Sequence, residues 1–334
     1  MNWGIMGLGH IAHEFADALA TRQGVFAAAS RDLDKARAFQ DRYGARRAYG
    51  SYEELLADKD VDAVYIATVN ARHLDDIRAC LEAGKHVLCE KAIWGNYGEL
   101  SSLCDLARER GLVLAEAMTI YHMPIFAKIA QMIEDGELGK IKIVKADLGS
   151  LKEDDPTNRF FNPDLGGGAM LDIGVYALSI ARLFMASQPE ELVSLANRST
   201  TGVDQTSGFV TRNAEGQLGV FSLSLHSKQP KRAMISFDNC YIEATDYPRA
   251  DHATIVWTND GHREEVHAGE EGYALAYEIA DLEAAVAGNA DKLKLLDYAA
   301  DVMEIMTRLR YEWGVYYPEE AERAAAAGVE AAGA

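Results

Sequence analysis

The sequence lacks the marks of several protein classes. It has four cysteines, Cys80, Cys89, Cys104 and Cys240. None form a CxxC pair or stand at zinc spacing from a histidine, so they read as buried reduced thiols and no metal site is expected. Positive charge is scarce: 33 Lys and Arg stand against 52 Asp and Glu, a net charge of −19. Such a surface repels nucleic acid and anionic membranes, and no basic helix stands out, so neither is an expected partner. No uncharged apolar run reaches about 18 residues, the length needed to span a bilayer. The first strand begins at about residue 2, which leaves no room for a signal peptide, and a cytoplasmic location is expected. Internal repeats are absent.

What is present is globular. Hydrophobic residues make up 49% of the chain and charged residues 25%. A chain of 334 residues can hold two domains with cores of their own. At the start, a short apolar run meets Gly7-Leu8-Gly9-His10-Ile11-Ala12, and helix Ile11–Arg22 follows at once. This GxGxxA turn suits a dinucleotide pyrophosphate. Gly7 permits the tight turn, Gly9 keeps a side chain away from the phosphates, and Ala12 lets the helix lie close on the strand. His10 and Ile11 stand at the helix N-terminus, whose N–H groups favour an anion.

Strand Val25–Ala29 ends at Ser30-Arg31, ahead of Asp32 and helix Leu33–Tyr43. A hydroxyl and a guanidinium at this strand end suit a 2′-phosphate and favour NADP, while Asp32 leaves NAD open. Strand Val61–Ala67 delivers the loop Thr68–His73, in which Thr68, Asn70 and His73 are candidate cofactor contacts. Strand His86–Glu90 delivers Glu90-Lys91-Ala92, a lysine at a buried strand end that needs a partner. Strand Leu112–Ala117 completes a doubly wound α/β sheet.

Beyond residue 118 the pattern changes. Helix Met123–Ile133, strand Ile141–Leu148 and the polar loop Gly149–Leu165 lead to Gly166-Gly167-Gly168 and the apolar helix Ala169–Met185. On that helix Asp172 and Tyr176 are four residues apart and share a face. Six strand-like runs between residues 191 and 258 predict a large, mostly antiparallel sheet. Helices Tyr273–Ala287 and Asp297–Trp313 follow, then an Ala- and Glu-rich tail, Glu319–Ala334, which reads as peripheral. The expected fold class is thus α/β. A Rossmann doubly wound parallel sheet in 1–118 binds a dinucleotide. An α/β domain with a large open sheet in 119–334 binds substrate. A large one-sided sheet needs cover, so a homodimer or higher homo-oligomer through it is expected.

The GxGxxA start, the Glu90-Lys91 strand end and Gly166-Gly167-Gly168-Ala169-Met170-Leu171-Asp172-Ile173-Gly174-Val175-Tyr176, in this order before a long β-sheet, resemble the Gfo/Idh/MocA oxidoreductases. That is the glucose–fructose oxidoreductase and inositol dehydrogenase superfamily, and the resemblance covers nearly the whole chain. It implies that Lys91 matches the lysine of the family's Glu-Lys-Pro motif. Asp172 and Tyr176 match its Asp-x-Gly-x-x-x-(His/Tyr)-like signature, written in this chain as Asp172-Ile173-Gly174-Val175-Tyr176. Tyrosine at 176 is similar to the branch with dihydrodiol dehydrogenase and aldose dehydrogenases. The chain departs from the family at Ala92, where proline is usual and where a trans peptide bond is expected here, since cis before alanine costs about 3 kcal/mol. It departs again at Tyr121, which stands where an arginine is frequent.

The chemistry that the resemblance implies is hydride transfer between a nicotinamide and a hydroxyl or carbonyl carbon of a sugar, polyol or related compound. Tyr176 would be the acid/base, Lys91 the cation that brings its phenol toward neutrality, and Asp172 a partner of Lys91 or of a substrate hydroxyl. Tyr121, His122, Arg159 and Phe160 are weaker candidates for the substrate pocket. A trans-dihydrodiol dehydrogenase is the second enzyme reading, and a catalytically silent NADP(H)-binding sensor is the reading from another class.

Overall fold

The computed structural model describes residues 1–93, 95–318 and 320. Apart from Glu320, the expected tail Glu319–Ala334 lies outside the described residues. The chain divides into two compact units, Met1–Thr119 with Gly272–Ala300, and Ile120–Glu271 with Asp301–Ala334. The sequence reading cuts the chain once, after residue 118; the structure adds the return of Gly272–Ala300 to the first unit.

Six parallel strands build the first unit: β1 (Trp3–Met6), β2 (Ala27–Ala29), β3 (Arg47–Tyr49), β4 (Ala63–Ile66), β5 (His86–Glu90) and β6 (Leu114–Ala117). They stand in the order β3-β2-β1-β4-β5-β6. β1, β2 and β4 are buried along their whole length, as apolar strands are when both faces are covered. The strand order reverses at β1, and ligands of open α/β sheets bind outside the carboxyl ends at that point. The register places Tyr49, Ala29, Met6 and Ile66 in one row, so four loops leave from a common rim.

Helix α1 (His10–Ala20) buries Ala12, Phe15, Ala16 and Leu19. Phe15 stacks on Tyr65 of β4 with centroids 3.6 Å apart. Helix α2 (Leu33–Tyr43) starts at Asp32, whose carboxylate accepts the N–H groups of Asp34 at 3.0 Å and Lys35 at 3.3 Å. Helices α3 (Tyr52–Ala57), α4 (His73–Glu82) and α5 (Tyr97–Glu109) follow, the last opened by a capping box of Asn96 and Glu99. The returning helix Ala274–Val286 packs on α1. Its Glu283 accepts from the Trp3 indole at 3.1 Å, from Arg22 at 2.9 Å and from Gln23 at 2.7 Å.

The second unit opens with helix α6 (Pro124–Glu134) and carries eight strands: β7 (Ile141–Gly149), β8 (Pro189–Arg198), β9 (Asp204–Asn213), β10 (Leu218–Ser224), β11 (Gln229–Phe237), β12 (Cys240–Thr245), β13 (His252–Trp257) and β14 (Arg263–His267). Their order is β14-β13-β12-β11-β7-β10-β9-β8, antiparallel except for the β7–β10 pair. On one face the row Phe209, Phe221, Ala146, Ala233 and Ala244 is buried. β7 packs there against helix α7 (Val175–Phe184). The opposite face is open at β8 and β9, where Val193 is 73% and Leu195 82% exposed.

Several elements differ from the sequence reading. β14 is an added strand: Arg263-Glu264-Glu265-Val266-His267 has one apolar residue and no readable period, and its pairing with β13 alone makes it a strand. The last long helix begins at Ala290 and not at Asp297. The helix expected from Ala169 opens as a π-helical turn, Met170–Gly174, before α7. The run Pro163–Phe184 is long and apolar enough to cross a membrane, but 78% of its most apolar 18-residue stretch is buried inside the protein, as in a core helix.

A buried ion pair holds the far end of the second unit. Arg310 donates to Glu320 at 2.8 Å and 3.0 Å, and both side chains are nearly without solvent contact. Removing one partner of such a pair strands the other charge. Glu320→Ala is therefore expected to lower unfolding stability by about 3–5 kcal/mol, read as a lower denaturant midpoint for the second unit.

Candidate functional site

The glycine turn shows why it is built as it is. Gly7 has φ +86, and a Cβ there would lie 2.8 Å from the Ala67 carbonyl oxygen and 2.9 Å from the Thr68 nitrogen. Its glycine is required by the approach of β1 to the loop after β4. Gly9 is different: a Cβ there would meet nothing within 4 Å. The protein leaves open space above Gly9, at the start of α1, where no side chain caps the helix. Uncapped N–H groups facing open space fit a pyrophosphate. His10 is well exposed and pairs with Glu14 at 3.2 Å, and Ile11 is half-buried.

At the end of β2, Ser30 is buried and its hydroxyl accepts the Asp32 N–H at 3.2 Å, while Arg31 is exposed. Asp32 is committed to capping α2. The loop after β4 is braced from below. Thr68 donates its hydroxyl to Asp76 at 2.7 Å, and Asn70 is half-buried in the short 3-10 turn Asn70–Arg72. His73 has no exposed surface. Its Nδ1 lies 3.0 Å from the Ala92 carbonyl and its Nε2 3.3 Å from the Thr68 carbonyl. Burial lowers its pKa, so the neutral ring donates once, to the nearer oxygen, and links the loops after β4 and β5.

Lys91 is half-buried, following Glu90, whose carboxylate takes the Tyr65 hydroxyl in a short hydrogen bond. The Lys91–Ala92 peptide bond is cis, which corrects the expected trans bond. Its surroundings hold this turn from both sides: His73 binds the Ala92 carbonyl, and the Ile93 N–H donates to Glu116 at 2.9 Å. Glu116, absent from the sequence reading, lies on β6 and is buried. Burial pushes its carboxyl up to about 7, against the pull of the Ile93 N–H and of Lys91. The sequence offers one faint signal for it, a charge inside a strand that otherwise reads Leu-Ala-x-Ala.

In the second unit, Gly166-Gly167-Gly168 is pinned from two sides. The Tyr317 hydroxyl donates to the Gly167 carbonyl at 2.6 Å, and buried Asp204 accepts the Met170 N–H at 2.7 Å. Gly168 has φ +122, and a Cβ there would stand 2.5 Å from Asp204 Oδ1. From Gly166 through Ala181 every residue is buried except Asp172 and Tyr176, which share a face and remain half-buried. Arg159 reaches Asp172 at 3.4 Å. Arg159 lies 4.1 Å and Lys152 4.2 Å from the centroid of the Phe160 ring. The structure thus brings Arg159 and Phe160 to Asp172. Tyr121 and His122 are buried in the 3-10 turn Thr119–His122. A further residue, Tyr247, is fully buried; burial raises its phenol, and the neighbouring Tyr176 and Asp147 raise it further. Nothing in Asp246-Tyr247-Pro248 marks it in the sequence.

Among the described residues no group of three or more His, Cys, Asp or Glu side chains could hold a metal ion. All four cysteines are buried and free, and burial pushes Cys104 up to about 11.

A family model described as "Oxidoreductase family, NAD-binding Rossmann fold" matches residues 1–118, and one described as "GFO/IDH/MocA C-terminal domain" matches residues 126–243. Curated relatives include the trans-1,2-dihydrobenzene-1,2-diol dehydrogenases of Mus musculus and Xenopus laevis. The mouse protein is 33% identical over 241 residues, 71% of this chain and 72% of its own. The frog protein is 28% identical over 328 residues, 95% of this chain and 99% of its own. Among solved structures, KijD10, a 3-ketoreductase from Actinomadura kijaniata in complex with NADP and TDP-benzene, superposes with TM-score 0.79 at 25% identity, over 92% of this chain and 95% of that one.

Glu116 gives a pH test. Its folded pKa, about 7, lies above the ordinary 4.5. The fold therefore favours the protonated form. That contribution is complete below the ordinary value and is lost as pH rises through 7, an effect of roughly 3 kcal/mol. Glu116→Gln keeps an acceptor for Ile93 and cannot ionise. Thermal unfolding is expected to show it more stable than wild type at pH 8, with the gain nearly gone at pH 5.

Proposed function

The chain belongs to the Gfo/Idh/MocA family of oxidoreductases, and on that premise we propose that it prefers NADP and moves hydride to or from a hydroxyl-bearing carbon of a sugar, polyol or related compound. Its activity class is that of an NAD(P)-dependent oxidoreductase acting on CH–OH groups. The observation that carries the reading is the helix on which Asp172 and Tyr176 alone escape burial across sixteen successive residues, 166–181. A carboxylate and a phenol left accessible together on one face of an otherwise buried helix are placed to meet a ligand.

The roles follow from the side chains. Bound NADP supplies the hydride acceptor, and NADPH the donor. In the oxidation direction Tyr176 takes the proton from the substrate hydroxyl as hydride leaves the same carbon, and in reduction it returns that proton to the new alkoxide. Lys91 supplies a positive charge that favours the ionised phenol and orients the substrate oxygen. Asp172, next to Arg159, accepts a hydroxyl of the substrate. Gly7, Gly9 and the start of α1 take the pyrophosphate, with His10 and Ile11 at the helix entrance. Thr68 and Asn70 on the loop after β4, and Glu90 and Lys91 at the end of β5, serve the nicotinamide and ribose. NADP is favoured over NAD because Ser30 and Arg31 occupy the position after β2 while Asp32 is spent on the α2 cap.

A second substrate reading, oxidation of a cyclic trans-dihydrodiol, is favoured by the curated relatives of that name. Both are tested by following NADPH absorbance with aldoses, polyols and trans-1,2-dihydrobenzene-1,2-diol. On the substrate identified, Lys91→Ala and Tyr176→Phe are each expected to lower kcat by roughly 10²–10⁴. Unchanged turnover in both would refute the assigned roles.

The open sheet face is proposed as the contact of a homodimer. Val193, Leu195 and Val210 are 73%, 82% and 41% exposed, and Val193 and Val210 face each other across β8 and β9. An aliphatic strip of this kind on an acidic, otherwise charged surface calls for cover. Light scattering is expected to give twice the chain mass for wild type and the single mass for Leu195→Glu.

A further inference from the structure

The loop after β4 carries a further cation, Arg72. Arg72 ends the 3-10 turn Asn70–Arg72, six residues beyond the last residue of β4. Its Nη2 donates to Asp76 Oδ1 at 2.6 Å, and Asp76 is itself buried and held by the Thr68 hydroxyl at 2.7 Å. Asp76 thereby fixes the direction of the guanidinium without enclosing it, since the Arg72 side chain is 43% exposed. The Arg72 Cζ lies 5.9 Å from the centroid of the Tyr52 ring. Tyr52 opens α3, three residues beyond the end of β3.

The register makes this contact informative. β3, β2, β1 and β4 are neighbours in that order, and their last residues Tyr49, Ala29, Met6 and Ile66 form one row. A contact from the loop after β4 to the helix after β3 passes the two strand ends in between. Those ends deliver Gly7 and Gly9 on one side and Ser30 and Arg31 on the other. Burial raises the Tyr52 phenol and Asp76 adds to it, whereas Arg31 and Arg72 both pull it down, so both guanidiniums act electrostatically on this phenol from different loops, Arg72 from beside the ring. A phosphate monoester is recognised by this set: two planar cations and two hydroxyls, one of them on a ring.

We propose that Arg72, aimed by Asp76 and laid against Tyr52, is the second cation that receives the 2′-phosphate of NADP, opposite Arg31, and so is a determinant of cofactor choice. This rests on the NADP preference proposed above. The 2′-phosphate is the one group that separates NADP from NAD, so a residue serving it must affect one nucleotide and spare the other.

The test is binding of NADPH and NADH to the full chain by fluorescence titration, with 2′,5′-ADP and 5′-AMP followed by calorimetry, for wild type, Arg72→Met and Arg72→Lys. Arg72→Met keeps the aliphatic stem and removes the charge. It is expected to weaken NADPH and 2′,5′-ADP roughly tenfold to hundredfold, with NADH and 5′-AMP within about twofold, and Arg72→Lys should recover part of the loss. Equal weakening of both nucleotides would assign Arg72 to the loop structure and overturn the proposal. So would an unchanged NADPH affinity in Arg72→Met beside a wild type that prefers NADPH; the NADP reading would then survive alone. A wild type that binds both nucleotides equally would overturn the NADP preference and this inference with it. Should Arg72→Met fail to fold, Tyr52→Phe, which removes one hydroxyl, decides by the same ratio.

Discussion

The second unit depends on how one helix is started. Gly166-Gly167-Gly168 makes a turn that no Cβ fits at its last position, and buried Asp204 and Tyr317 hold it by single hydrogen bonds of 2.7 Å and 2.6 Å. From that anchored point the chain winds through a π turn and then an α-helix buried on the sheet, and Asp172 and Tyr176 emerge on its one accessible face. A π turn shifts every residue after it around the axis relative to a plain α-helix. The facing of Tyr176 is therefore decided one turn earlier, at Met170–Gly174.

The first unit relies on a different device. There the backbone register of parallel strands brings separate loops to one rim, and small residues let them close. Gly7 fits because the loop after β4 passes within 3 Å of where its Cβ would be. His73 and Glu116 then fix the turn after Lys91 through its neighbouring carbonyl and N–H. Polar groups buried this deeply are stable only with partners, and here the partners are backbone groups of the turn itself.

The sequence makes visible what is periodic or conformationally demanding. Five of the six parallel strands, the glycine turn and the apolar helix bearing Asp172 and Tyr176 each follow from spacing or from residue type. Long-range partners leave no such trace. Asp204 meets Met170 from thirty-four residues away, and Arg72 meets Tyr52 only through the order of strands. β14 is hidden because Arg263-Glu264-Glu265 is charged on both faces, so its partner strand defines it. The peptide bond before Ala92 defeats a local argument for the same reason, since local preference favours trans and the residues that hold the turn come from α4 and β6.

The helix Ala274–Val286 has a consequence for how this protein can be taken apart. Residues 120–271 are, in the topological sense, an insertion into the nucleotide-binding unit, which resumes at Gly272. A fragment ending at Thr119 would lose Glu283 and leave the Trp3 indole, Arg22 and Gln23 without the carboxylate that gathers them. The cofactor half is not a separable N-terminal module. Its core closes only after the chain has built most of the other half, so a ribosome must deliver Glu283, roughly five-sixths of the way along the sequence, before the first strand acquires its last partner.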